Sequence, residues 1–306
     1  MMAAGQSRPW RGELRMDEPM AHHTSWHAGG AARRFYKPAG PDDLRVFLAG
    51  TAPDQKLLWV GLGSNLLVRD GGFPGTVVFT FGALDDMDWV DERTLHVGAG
   101  VACAKVARTC ARNGLTGAEF LAGIPGSMGG ALAMNAGAFG GETWELVQEV
   151  ETADRRGVRR VRRPHDYCIG YRSVCGPGEE WFVSARLRLV PGDAQGAQML
   201  IRELLDRRGQ TQPTQYFSCG SVFRNPPGDH AARLIETAGL KGMVTGGARV
   251  SDKHANFIIN TGSATAADIE ELIVRIQARV REVHGIMLEP EVRIVGERSA
   301  AERKDD

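Results

Sequence analysis

The feature that most restricts this chain is a run of glycine among apolar residues. It reads Ala122-Gly123-Ile124-Pro125-Gly126-Ser127-Met128-Gly129-Gly130 and continues to Asn135-Ala136-Gly137-Ala138-Phe139-Gly140-Gly141. A solvated linker would be polar between its glycines. Here the intervening residues are mostly apolar, so the backbone is expected to pass close against something large and flat. A second permissive turn, Gly61-Leu62-Gly63-Ser64-Asn65, follows Leu57-Leu58-Trp59-Val60, which reads as a buried strand. Backbone N–H groups freed of side chains can hold a pyrophosphate. The turn is not the Rossmann fingerprint, because no G-x-G-x-x-G opens a helix with an acidic residue about twenty positions later. Alone it is an ordinary strand-ending turn; two such loops can clamp one extended cofactor.

The remaining chain mixes helices and strands. A short helix is expected at 41–49, strands at 76–81 and 94–97, and a helix at 101–113 stopped by Gly114. Further strands are expected at 147–153 and 181–190. Between them the six arginines from Arg155 to Arg163 surround Gly157 and read as a hairpin with a solvated basic face. A helix at 195–208 leads into a new domain near Thr211, with helices at 230–238 and from about 265 and a strand at 255–260. Ile269, Leu272, Ile273, Ile276, Val280 and Val283 recur at helical spacing, Thr265 and Asp268 have the pattern of an N-terminal cap, and Gly285 ends the helix. A closing strand is expected at 286–295, with the option that it returns to the first domain.

The 306 residues, 42% of them hydrophobic, suffice for two or three domains. The expected divisions are 17–82, 83–210 and 211–296, with loose termini at 1–16 and 297–306. Basic and acidic residues balance at 37 each, which argues against nucleic acid as the main partner, since phosphate neutralisation needs a basic excess. No apolar run reaches the length of a membrane span, and residues 1–10 lack the apolar core of a signal peptide. A cytoplasmic protein with small-molecule partners is the expectation, with oligomeric state left open. The five cysteines include no C-x-x-C pair and suit neither a disulfide scaffold nor a zinc ribbon. Cys103 and Cys110 share a helix face and read as small core residues. His22, His23 and His27 lack a carboxylate companion at metal-ligand spacing, so no metal is expected.

Thr24-Ser25-Trp26-His27-Ala28-Gly29-Gly30, then Gly61 to Val68, then Ala122 to Gly141, resemble the successive FAD-binding segments of the UDP-N-acetylenolpyruvoylglucosamine reductase family. Cys219-Gly220-Ser221-Val222-Phe223-Arg224-Asn225-Pro226 is similar to its G-S-x-F-x-N-P motif. Gly246-Gly247-Ala248-Arg249-Val250-Ser251 and Leu288-Glu289-Pro290-Glu291-Val292-Arg293 are similar to its C-terminal signatures. The matches run in order over nearly the whole chain. The short segment Val174–Trp181 resembles the family's shorter type, which lacks an extra tyrosine-bearing loop over the substrate.

The resemblance implies a vanillyl-alcohol-oxidase (PCMH-type) FAD-binding fold with a C-terminal α+β substrate domain. It implies non-covalent FAD, NADPH as reductant, and reduction of an enolpyruvyl ether of UDP-N-acetylglucosamine to UDP-N-acetylmuramate in peptidoglycan precursor synthesis. Gly61, Gly63, Ser64, Asn65, Gly123, Ile124, Pro125, Gly126, Ser127, Gly130, Asn135 and Gly137 would then bind the cofactor. Ser221 would give the proton to C2, Arg172 would hold the substrate carboxylate, and Glu291 would help stabilise the enolate. Asn225 and Arg224 would contact substrate. A carboxylate beside an enolate is repulsive unless it holds or shares a proton, so Glu291 is expected to have a raised pKa; Glu289, two residues earlier, competes for its role. Val174 departs from the family serine at that position, which bears on the support of Arg172. Without the motifs, Ser221 is a turn serine and Arg172 a surface ion-pair partner. A flavin oxidase of the same fold would need neither Ser221 nor Glu291.

Overall fold

The computed structural model describes residues 9–300. The first unit is a four-stranded sheet in the order Glu13–Pro19, Ala31–Lys37, Phe73–Phe79, Leu57–Val60; the first pair is antiparallel and the other two pairings are parallel. Helix α1 (Pro41–Ala49) carries the parallel crossover and buries Leu44, Phe47 and Leu48 against Tyr36 and Val78. Residues 13–16, expected in a loose arm, are strand. Buried Asp43 accepts hydrogen bonds from the Tyr36 hydroxyl and the backbone N–H groups of Arg11 (2.5 Å) and Ala39 (2.8 Å), and Trp10 packs edge-on against Phe47. A buried carboxylate needs such donors, and a polar-looking arm offered them. The outer parts of the two expected loose termini, 1–8 and 301–306, lie outside the described residues.

The second unit is a five-stranded antiparallel sheet, ordered Arg159–Arg162, Val147–Asp154, Glu180–Arg188, Thr94–Gly98, Met87–Trp89. Helices α2 (Cys103–Arg112), α3 (Met128–Met134) and α4 (Ala194–Thr211) pack into its core, and Cys103 and Cys110 are buried there. The arginine hairpin forms, and acids pair with four of its six arginines: Arg159 with Glu151, Arg160 with Asp154, Arg162 with Glu180 and Arg155 with Glu179.

The third unit joins a small antiparallel sheet, Val244–Thr245, Ala248–Val250 and Ile258–Asn260, to helices α5 (Ala231–Thr237) and α6 (Ala266–His284). Helix α6 has the expected capping box between Thr265 and Asp268, and Gly285 ends it at φ 69°. Five of its six expected core residues are buried; Val283, in the last turn, is 42% exposed. The closing strand is confined to Arg293–Val295 and pairs in parallel with Leu66–Val68 of the first unit. Pro290 has no N–H to donate, and its residue makes a single bridge to Phe223.

The third unit is fastened to the first at several points. The Trp26 indole donates to the Ile258 carbonyl (2.8 Å) and the Asn260 amide donates to the Trp26 carbonyl (2.8 Å). Asp70 accepts from the N–H groups of Ala266 and Ala267 at the start of α6, and Arg69 makes a two-pronged contact with Glu270. These contacts fix the angle at which the C-terminal residues overhang the glycine loops.

Candidate active site

The glycine loops, the tip of a hairpin and the segment before the final strand converge on one cleft of about 560 Å³, a size typical of small-molecule and cofactor sites. Gly61, Gly63, Ser64, Asn65, Ile124, Gly126, Ser127 and Gly130 line it, as do Arg172, Arg224 and Glu291. Trp59, Tyr167 and Trp181 also line it, and none of the three was anticipated from the sequence. Trp59 and Trp181 come from different sheets and stack at 5.2 Å. A tryptophan two residues before a strand-ending turn carries no local sign of that partner.

The donor set fits a large, polar, flat ligand. Among the described residues, the buried polar atoms without a protein partner include Ser127 Oγ, Trp59 Nε1, Tyr167 Oη and Arg224 Nε, all on residues of this cleft. Burying such groups dry costs free energy, so a site that gathers them is built for a polar ligand or ordered water. At Gly61 a Cβ would lie 2.0 Å from Ser127 Oγ, and at Gly126 it would lie 3.3 Å from Ser64 Oγ. The two loops therefore touch across glycines, with Ser64 and Ser127 among the lining residues. His27 is exposed, packs at a tilt against Phe217 with ring centroids 4.0 Å apart and is not part of the lining.

Arg172 sits at the tip of the hairpin formed by Cys168–Gly170 and Ser173–Cys175, at φ 52°. A non-glycine residue in that region is held there by its surroundings, at a cost of about 1–3 kcal/mol. The holding contacts are plain. Its Nη1 donates to the Asn135 carbonyl (3.3 Å), its Nη2 to the Gly137 carbonyl (2.8 Å), and its Nε lies 3.4 Å from Glu291 Oε1. A guanidinium has five N–H donors, so one on each terminal nitrogen remains. Val174 lines the cleft without supplying a hydroxyl, and the support of Arg172 comes from these two carbonyls.

Glu291 and Glu289 are separated by their surroundings. Glu289 is 69% exposed and pairs with Arg224 at 3.1 Å, whereas Glu291 is 14% exposed and faces Arg172. The backbone there is irregular, so the two side chains do not share a face as they would in a regular strand. Burial pushes the Glu291 carboxyl above its ordinary range, opposed by the charges of Arg172 and Arg224. Tyr167 is pushed up to about 12, by burial first and then by the charge of Glu180.

Ser221 follows Gly220 at φ 83°. Its neighbours are tied down: Val222 N–H donates to the Asn256 carbonyl (2.9 Å), Phe223 N–H to Asn256 Oδ1 (2.9 Å), and Glu291 N–H to the Val222 carbonyl (2.8 Å). The serine is partly exposed and is not among the lining residues. It is thus one residue from the backbone partner of Glu291. Asn65 is turned the same way, its amide donating to the Glu291 carbonyl at 3.0 Å, so it couples the first glycine loop to the Glu291 segment.

Several residues expected at the site stand behind it. Asn135 is buried in the left-handed conformation that ends α3; its side chain serves Glu142, the Gly170 carbonyl and Trp144 N–H. Gly137 makes room for Arg172, whose Nη1 would lie 3.0 Å from a Cβ there, and Gly123 makes room for the Phe139 ring. Pro125 is exposed outside the lining. Asn225 Oδ1 accepts from Ala231 N–H (3.1 Å) and so caps α5 rather than lining the cleft. Polar or glycine character alone does not separate a residue that touches a ligand from one that supports the residue doing so.

Residues 33–162 match the family described as FAD binding domain, and residues 212–295 match UDP-N-acetylenolpyruvoylglucosamine reductase, C-terminal domain. The chain is 60% identical to the UDP-N-acetylenolpyruvoylglucosamine reductase of Alkalilimnicola ehrlichii, over 97% of this chain and 99% of that one. It is 57% identical to the reductase of that name from Methylococcus capsulatus, over 97% and 98%. The crystal structure of the UDP-N-acetylenolpyruvylglucosamine reductase from Thermus caldophilus superposes with a TM-score of 0.80 at 33% identity, covering 93% of this chain and 98% of that one. The first two units carry the FAD-binding fold of the PCMH type, and FAD is the cofactor. Together with the paired arginine and buried glutamate in the cleft, these likenesses establish that the chain belongs to the UDP-N-acetylenolpyruvoylglucosamine reductase family.

Proposed function

We propose that this chain uses NADPH and non-covalent FAD to reduce the enolpyruvyl ether of UDP-N-acetylglucosamine to UDP-N-acetylmuramate, in the cytoplasm, for peptidoglycan precursor synthesis. The observation that carries the reading is the placement of Arg172 against Glu291, with two guanidinium N–H groups to spare, in a cleft lined by both glycine loops. FAD, when bound, would supply the hydride needed at C3 of the enol ether. Gly61, Gly63, Ser64, Gly126 and Ser127 would hold it through backbone N–H groups and hydroxyls.

Arg172's remaining pair of donors suits a carboxylate that gains charge as C3 is reduced. Burial raises the proton affinity of Glu291, against the pull of Arg172 and Arg224, and so lessens its repulsion of the enolate it would face. Ser221 then donates its proton to C2. A serine hydroxyl is a weak acid and serves only against a strongly basic carbon, which is what this reduction generates. Arg224, in the lining with a buried unpartnered Nε, contacts the anionic part of the substrate; Asn225 supports the motif by capping α5.

Purified protein should release yellow flavin on acid precipitation. It should consume NADPH rapidly only when the UDP-enolpyruvyl sugar is present. Turnover of an alcohol linked to oxygen instead would overturn the assignment.

Two further outcomes are expected. The substrate half-reaction should fall as pH rises through the raised pKa of Glu291, because the acid form is the active one. Glu291→Gln is permanently neutral, so it should flatten that limb in a pH profile of flavin reoxidation; an unchanged limb would rule out Glu291 as its source. Gly61→Ala places a methyl against Ser127 Oγ. Overpacking of that kind costs about 1–3 kcal/mol, so the apoprotein should melt a few degrees lower and, with Ser127 pushed aside, FAD affinity should drop about tenfold or more. Titration of apoprotein with FAD by fluorescence quenching reads it directly.

A further inference from the structure

Three of the five cysteines are buried and two are exposed. Burial pushes the thiols of Cys103 and Cys110 up to about 12 and raises that of Cys219 as well, which keeps all three as unreactive thiols. The exposed pair, Cys168 and Cys175, are directly opposed across the antiparallel hairpin that carries Arg172 at its tip. Opposed residues in an antiparallel pair have Cα atoms about 4.5–5.5 Å apart and side chains on the same face. That spacing lies inside the roughly 4.4–6.8 Å window of disulfides.

The register that opposes them is pinned at both ends. Beyond the pair, Gly176 lies against the ring of Tyr167, where a Cβ would be 2.5 Å from the ring edge, and that ring packs on Trp144 and Phe182. At the tip, Arg172 is tied to the carbonyls of Asn135 and Gly137. A one-residue slip would break both anchors, so the two sulfurs are held as neighbours before any oxidant arrives.

We propose that Cys168 and Cys175 are a redox modification site, closing to a reversible intrachain disulfide when a hydroperoxide reaches the protein. One thiolate attacks the peroxide oxygen, giving a sulfenic acid and hydroxide. The second thiol attacks the sulfenic sulfur and releases water. In balance, two thiols lose two electrons and two protons, and hydrogen peroxide becomes two waters. In a reducing compartment the pair returns to thiols, so the bond is transient rather than structural.

The consequence is local. Val174 and Gly176 flank Cys175 and line the cleft, and Arg172 lies within the eight-residue span Cys168–Cys175. Closing that short ring restricts opening of the cleft wall. The inference rests on the hairpin geometry and stands whatever substrate the cleft takes.

The test is treatment of the FAD-loaded protein with hydrogen peroxide, followed by alkylation and peptide mapping. The expected product is one Cys168–Cys175 cross-link per chain, with Cys103, Cys110 and Cys219 still alkylatable after unfolding, and full reversal by dithiothreitol. Amide exchange across 167–176 should slow about tenfold or more in the oxidised form. In Cys175→Ser the cross-link should vanish and Cys168 should be trapped as a sulfenic acid by a dimedone-type reagent. Separate overoxidation of the two thiols, cross-links only between chains, or reaction at the buried cysteines instead would overturn the proposal.

Discussion

Ser221→Ala is expected to slow reoxidation of reduced flavin by the UDP-enolpyruvyl sugar by about 10²–10⁴-fold, the range for loss of a positioned acid. Reduction of the flavin by NADPH should stay within about twofold of the parent rate, because no proton reaches C2 in that step. The asymmetry follows from how the serine is held. Gly220 turns the chain, Asn256 fixes the two residues after Ser221 from both sides, and Val222 carries the backbone bond to Glu291. Removing one hydroxyl leaves that frame intact. Stopped-flow absorbance of the flavin separates the two half-reactions, and equal slowing of both would sink the assignment.

Arg172→Lys is expected to lower the substrate half-reaction by about 10²–10³-fold, with thermal stability near the parent value. The guanidinium reaches two carbonyls and Glu291 while keeping two donors for a carboxylate. An ammonium has three donors from one point and cannot serve all four partners. Lysine is the informative choice because it keeps a cation at the hairpin tip and removes only the fork of donors, whereas alanine would remove the charge and the carbonyl contacts together. The loss should fall on both kcat and substrate affinity, since the carboxylate gains charge in the transition state. NADPH-driven flavin reduction should survive. A lysine variant with parent kinetics would mean that Arg172 is only a brace for the hairpin.

Much of the local structure is legible from residue patterns. The helical spacing of Ile269, Leu272, Ile273, Ile276 and Val280 corresponds to one buried stripe, and Thr265 with Asp268 marks its first turn. The strand Leu57–Val60 and the turn after it are likewise readable. Other elements are not. The segment after Gly285 alternates like a strand, yet only Arg293–Val295 join a sheet, by pairing with Leu66–Val68 from far back in the chain. Residues 13–16 look solvated, and three of the four are exposed, yet they pair with Arg34–Lys37 as an edge strand.

The same division runs through the site. By itself the sequence determined the backbone: which positions are freed by glycine to let two loops meet, where α6 begins and ends, and, through its motifs, which side chains carry chemistry. Tertiary structure alone decided which of those side chains face one another. Glu289 and Glu291 are the same residue type two positions apart, and only packing buries the second against Arg172 and shifts its proton affinity. Asn135 and Gly137, which read as cofactor contacts, became the carbonyls that aim Arg172. The physical reason is one of range. Backbone preference acts over a few residues, whereas desolvation and charge pairing depend on whatever the fold brings within a few ångströms.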